Sequence, residues 1–323
     1  MQFFSNMRTA LEHVAMLYVM VGFGVIGERL HWFTAKNARR CTKLLFFIVT
    51  PCVILRSFFT MEYSPESLRG LAVSVGAGIL LHAAGILLSE GFFRNPKKRE
   101  AESVLHFASI YGNCGYMALP LAQALVGGAG VFYCSAVILT FQMFSFTHGV
   151  YVMRGGIPFQ RKRGEARAPG AKFEWKHLIL NAGVLSVLVG LPLFLFNLHL
   201  PRLLTVPMES VAAMNTPLAM LIFGAYLSRT SFKGILRSKK LPVAIGIKLF
   251  AIPAVVMAAL LLFGAEGALL KALLISASAP SANNTVVMAA QQGRDAGYAA
   301  QVVGIISLLS IVTMPLMIAL AMG

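Results

Sequence analysis

The chain has 323 residues, of which 57% are hydrophobic and 12% charged, and its 28 Lys and Arg outweigh 12 Asp and Glu for a net charge of +16. A charged fraction about half that of a soluble domain cannot clothe a water-facing surface, so a soluble catalytic domain is excluded and lipid must be the solvent for most of the chain. The positive charge is dispersed over short loops between apolar runs, the pattern of topogenic signals and not of a nucleic-acid surface.

Ten apolar runs follow one another at 9–27, 42–60, 69–93, 103–126, 129–153, 177–198, 205–228, 241–264, 267–290 and 296–322. Each is near the roughly 20 residues a transmembrane helix needs, which makes the chain an all-α polytopic membrane protein. The first run ends in Gly27-Glu28-Arg29 with no small-x-small cleavage site, and so reads as a retained span and not a signal peptide. Glu12 and His13 stand at its outer end as interfacial residues. The second run carries Thr50-Pro51 and, late, Arg56, which is expected to reach the outer interface. Between the fifth and sixth runs lies the longest loop, Arg154 to Lys176, with Arg161-Lys162-Arg163 and Ala168-Pro169-Gly170, a basic, turn-rich linker. The four cysteines, Cys41, Cys52, Cys114 and Cys134, form no CxxC pair and read as small packing residues.

Loops after the odd-numbered spans hold 22 Lys and Arg and those on the other side hold 4. This positive-inside bias puts both termini outside the cytoplasm, which requires an even number of spans. The linker then divides ten spans into five and five: a first repeat over 1–153, a linker over 154–176 and a second repeat over 177–323. Because five is odd, the second repeat enters the membrane in the opposite sense, the arithmetic of an inverted-repeat transporter. Motifs echo across the halves: Thr50-Pro51 against Thr216-Pro217, and Gly112-Asn113-Cys114-Gly115 with Pro120 against Pro280-Ser281-Ala282-Asn283-Asn284-Thr285.

The polar, proline-bearing fourth and ninth spans are the chemically informative ones. Glycine and proline at membrane depth break a helix, and broken backbone is tolerated there only where it is buried in protein or lines a cavity. Two broken helices at matching places point to a binding site, since half-helix N-termini present free N–H groups that suit a carboxylate. Asn283-Asn284-Thr285 matches a glycosylation sequon but lies too deep to be one. Lys248 in the eighth span either balances an anionic substrate or snorkels to the basic side near Lys240; snorkelling is the favoured expectation. His82, His106 and His148 are candidate proton relays, with hydrogen-bonded packing as the plainer reading of each. There is no HExxH or Walker A motif, so primary, ATP-driven transport is excluded for this chain alone and no cofactor is expected.

Gly112-Asn113-x-Gly115, followed by Leu119-Pro120-Leu121, resembles the Gly-Asn-x-Gly…Pro-Leu motif of the auxin efflux carrier family. Pro280-Ser281-Ala282-Asn283 and the stretch Ser307 to Pro315 are similar to its C-terminal pattern. The resemblance implies the crossover plan shared with bile-acid symporters and sodium/proton antiporters. Helices 1, 2, 6 and 7 would form a scaffold, often dimeric, and helices 3–5 and 8–10 a mobile transport domain moving as an elevator. Helices 4 and 9 would break and cross at Pro120 and Pro280. By the same match Asn113 is a substrate contact and Gln142 a second, with Tyr116, Ser281, Asn283 and Asn284 around them. The short central loop and the absence of an acid from Arg69 to Leu88 depart from the plant carriers. They favour a bacterial malate- or malonate-permease-like member, carrying a small organic anion across the cytoplasmic membrane with H+, Na+ or no coupling ion. The rival expectations are a sodium-coupled symporter of the bile-acid type, a membrane-embedded enzyme and a transporter-like receptor.

Overall fold

In lipid a segment can satisfy its backbone only within itself or in a closed barrel, and these apolar runs have done so as helices. The computed structural model describes residues 2–93, 99–154, 181–198, 200–230, 235 and 238–322. In chain order the helices are α1 (Met7–Arg29), α2 (Lys36–Thr60), α3 (Pro65–Ser89), α4 (Arg99–Ile110), α5 (Cys114–Val126), α6 (Gly128–Met153), α7 (Ala182–Leu195), α8 (Arg202–Ser228), α9 (Leu241–Leu262), α10 (Gly267–Ser278), α11 (Asn284–Gln291) and α12 (Ala296–Leu320). Among the described residues seven of them, α1, α2, α3, α6, α8, α9 and α12, are long and apolar enough to cross a membrane. The predicted fourth and ninth spans are each two shorter helices, α4 with α5 and α10 with α11, and the sixth is the 14-residue α7. Of the predicted linker only Arg154 is described; Arg161 to Arg163 and Ala168-Pro169-Gly170 lie outside the described residues, as do Lys97 and Lys98.

Local chemistry sets the ends. α3 begins at Pro65, four residues before the apolar run, because Ser64 and Ser67 close a reciprocal capping box and proline suits the first turn. Three prolines inside helices share another device. The π-turns Leu45–Val49, Cys114–Ala118 and Ile247–Ala251 each end two residues before a proline: Pro51, Pro120 and Pro253. A proline ring clashes with the carbonyl four residues back and removes the bond to it. Widening the preceding turn relieves the clash, and in each case the residue just before the proline donates five residues back: Thr50 to Leu45, Leu119 to Cys114 and Ile252 to Ile247. The helices therefore continue through these prolines without a break, and this corrects the expectation for Pro120. It sits buried in the first turns of α5, while the break lies upstream at Tyr111–Asn113. In the other half the break spans Ala279–Asn283 and does include Pro280.

Packing follows helical stripes within uniformly apolar segments. On α1, Ala10, Val14, Leu17 and Val21 are buried while Met16, Val19, Phe23 and Ile26 are exposed, so one face meets protein and the other is left for lipid. The buried face runs on to Gly24, where α1 crosses α8 at Gly224. A Cβ on Gly24 would stand 2.3 Å from the Leu221 carbonyl oxygen, and one on Gly224 would stand 2.1 Å from that of Val21. Small residues let membrane helices approach backbone to backbone. One turn on, buried Glu28 takes an ion pair from Arg229 and a hydrogen bond from Ser228, tying the same two helices at their ends.

Candidate functional site

The two helix breaks meet. Gly112 and Ser281 form an isolated antiparallel bridge. The Asn113 N–H donates to the Pro280 carbonyl at 2.7 Å, and the Ala282 N–H donates to the Tyr111 carbonyl at 2.9 Å. The Ser281 hydroxyl adds a bond to the Ala108 carbonyl at 2.6 Å. Backbone freed by the interruption of one helix is thus satisfied by the other, as buried main-chain groups must be. Pro280 and Ser281 are consequently frame residues: Pro280 contributes its carbonyl, and neither lines the adjacent cavity.

Two helix N-termini leave this junction. α5 starts behind Asn113, whose side-chain oxygen accepts from the Tyr116 N–H at 3.1 Å, an N-cap. α11 starts behind Asn283. Both open on one cavity of about 220 Å³. Asn113, Tyr116, Gln142, Asn283 and Asn284, all singled out in the sequence, line it together. The Nδ2 groups of Asn113 and Asn283 are buried without a hydrogen-bond partner among the described residues. Unsatisfied buried amides are rare and costly, and two of them beside one cavity describe a receptor for acceptor atoms. The Tyr116 ring is braced edge-on by Phe46, 5.2 Å away.

Lys248 corrects the snorkelling expectation. It is fully buried, at 0% exposure, and its Nζ reaches the Cα of Gly112, where a Cβ would stand 2.8 Å from it and 3.4 Å from the Ala279 carbonyl oxygen. Within the π-turn Ile247–Ala251 the side chain is aimed inward, away from Lys240, which pairs with buried Glu102 and also donates to the Phe92 carbonyl. The Lys248 Nζ has no hydrogen-bond partner among the described residues. It stands beside the crossing, where the C-terminal ends of α4 and α10, the partially negative ends of their dipoles, converge.

The histidines do not line the cavity. His82 is fully buried, donates from Nδ1 to the Gly78 carbonyl at 2.6 Å and stacks on Phe144. His148 Nδ1 is 3.0 Å from the Tyr111 hydroxyl, which donates to the Phe144 carbonyl. The His106 ring lies 6.0 Å from that of His148, and its Nε2 is 3.8 Å from Glu90. Tyr111, His148, His106 and Glu90 thus form a line of titratable groups starting at the helix break. Thr285 of the sequon is fully buried, which closes it to a glycan.

Sequence reasoning missed the opposite wall: Phe46, Phe47 and Thr50 of α2, and Asn181, Ala182 and Gly183 at the start of α7. Two adjacent phenylalanines in an apolar run carry no signal that separates a binding wall from a lipid face. Asn181 could have been found, as a polar residue early in the sixth apolar run. It caps α7 through a 2.9 Å bond from the Gly183 N–H.

The family model described as "Membrane transport protein" matches residues 9–165 and 167–318. No curated protein matches the chain. Matched over nearly its whole length, and carrying at its helix junction the Gly-Asn-x-Gly residues that first suggested the relationship, the chain belongs to the membrane transport protein family of auxin efflux carriers.

Proposed function

We propose that the chain is a secondary transporter of a small organic anion, a mono- or dicarboxylate such as a malate/malonate-type permease carries, with ten spans in two inverted five-helix repeats. One observation carries the reading. Two half-helix N-termini and two unpartnered amide donors, of Asn113 and Asn283, face one small cavity, with the Lys248 ammonium beside the crossing. Free N–H dipoles and donors without acceptors form an anion site, and about 220 Å³ lies below the range typical of drug-sized pockets. The cavity is walled by α2 and α7 on one side and by the broken helices with α6 on the other. That division supports a scaffold of α1, α2, α7 and α8 and a transport domain of α3–α6 with α9–α12, the latter moving as an elevator. A homodimer through the scaffold, both termini outside and a cytoplasmic-membrane location belong to the same reading.

Coupling to protons or to no ion fits better than coupling to sodium. The crossing already holds a fixed cation, and the line Tyr111–His148–His106–Glu90 offers groups that exchange protons. A thermal-shift series on purified protein tests both parts. Ligand that binds only the folded state raises apparent stability, so malonate or malate is expected to raise the midpoint equally in sodium and choline buffers. No response to any carboxylate counts against the anion reading, and a shift seen only in sodium reverses the coupling.

Asn113→Ala is the direct test of the site. Hydrogen bonds to a charged group are worth about 1.5–3 kcal/mol, so uptake of labelled malonate into proteoliposomes is expected to fall roughly 10- to 100-fold. The purified variant should remain monodisperse. Unchanged kinetics would remove Asn113 from the substrate site.

A further inference from the structure

A second cavity, of about 440 Å³, opens between α2 and α8 beside the α5–α6 turn. It shares no lining residue with the first, yet the two are neighbours. Thr50 lines the first and Asn215 the second, both are buried, and the Thr50 hydroxyl donates to the Asn215 side-chain oxygen at 3.5 Å. Along α2, Thr50 of the first cavity is followed by Val53, Ser57 and Thr60 of the second. That spacing of three and four keeps them on one helical face. One stripe of α2 therefore walls both cavities, and the Thr50–Asn215 pair stands between them.

The second cavity is lined in part by polar side chains and by one cationic one. Arg56 lines it, and its Nε is buried without a hydrogen-bond partner among the described residues. The nearest carboxylate is Glu209, at 3.8 Å, with the two side chains 41% and 47% exposed. A loose, exposed pair of this kind is worth about 0–1 kcal/mol, so an incoming carboxylate can displace Glu209 and take the guanidinium in a two-point contact. The hydroxyls of Ser57 and Thr60 are committed to the carbonyls of Ile54 and Arg56, which leaves Arg56, the amides of Gln123 and Asn215 and the hydroxyl of Thr216 as donors.

We propose that this cavity is a second anion station on the transport path, where a small carboxylate from the non-cytoplasmic side is held by Arg56 and Gln123 before passing the Thr50–Asn215 barrier. The assignment rests on the carboxylate-transport reading and, for its side, on α2 running from the basic Lys36–Lys43 end toward Thr60.

Two arms test it. In a chain with Cys41 and Cys52 replaced by serine, Thr60→Cys is labelled in intact cells with impermeant anionic and cationic methanethiosulfonates. The ratio of anionic to cationic rates, normalised to free cysteine, is expected to be roughly tenfold above unity. It should fall to about one on adding Arg56→Gln and be largely kept with Arg56→Lys. In proteoliposomes, Arg56→Gln is expected to raise the KM for malonate presented from the outer face about tenfold and to leave that from the inner face unchanged. No labelling of a monodisperse Thr60→Cys protein, a ratio indifferent to Arg56, or an equal change in KM from both faces overturns the proposal. Wild-type protein that carries no malonate defeats the transport reading instead, and the labelling arm still decides whether the cavity gathers anions.

Discussion

Lys248→Met is expected to abolish transport while leaving the fold as stable as before or more so. The side chain is fully buried, its ammonium has no hydrogen-bond partner among the described residues, and it stands against Gly112. A buried unpaired charge costs several kcal/mol of desolvation, and methionine fills a similar volume without it. A lysine kept only for packing would therefore be better replaced. In the proposed anion reading its function is electrostatic: it would offset the carbonyl ends of α4 and α10 and supply the positive charge that an anion near the crossing needs. Truncating one partner of a desolvated charge contact costs about 2–5 kcal/mol, so uptake of labelled malonate is expected to fall roughly 30-fold or more, with the thermal midpoint unchanged or higher. Loss of stability together with partial transport would make Lys248 a structural residue; full uptake would remove it from the mechanism.

Gly224→Val is expected to have the largest effect on folding. The Cβ would fall 2.1 Å from the Val21 carbonyl oxygen and 2.9 Å from the Gly24 Cα. Both are main-chain atoms of a packed helix and cannot swing away as a side-chain tip could. Ordinary overpacking costs about 1–3 kcal/mol, and here α1 and α8 must separate along their length, which places the cost at or above the top of that range. The measurement is the fraction of monodisperse protein left after heating in detergent, with Gly22→Ala and Gly76→Ala as controls, because a Cβ at either meets nothing within 4 Å. A Gly224→Val protein as heat-resistant as those controls would show that the close crossing does not hold the helices together.

The division of the chain into membrane helices was legible in its apolar runs, and so was the pair of interrupted helices, because glycine, proline and asparagine have few other uses at that depth. Asn113, Tyr116, Gln142, Asn283 and Asn284, singled out by the family resemblance together with the polarity of the broken spans, do share a cavity. The errors have physical causes. Pro120 was expected at the break because proline removes a hydrogen bond, but a π-turn absorbs that loss and the interruption falls at Tyr111–Asn113. The direction of Lys248 depends on which turn of α9 is widened, which spacing from Lys240 cannot reveal. Phe46 and Phe47 were invisible as site residues because lipid and a binding wall ask for the same side chain.

The bridge between Tyr111–Asn113 and Pro280–Ala282 has a consequence for how such a carrier can diversify. Two of its ties, Asn113 N–H to Pro280 and Ala282 N–H to Tyr111, are main chain to main chain, and so do not depend on which side chains surround them. The cavity wall and the frame that holds it are thereby uncoupled. Residues such as Gln142, Asn284 and Phe46 can be exchanged to favour another ligand without disturbing the junction around which the helices are arranged. A change of cargo then calls for a few substitutions in the lining, and the apparatus that moves it can be inherited unaltered.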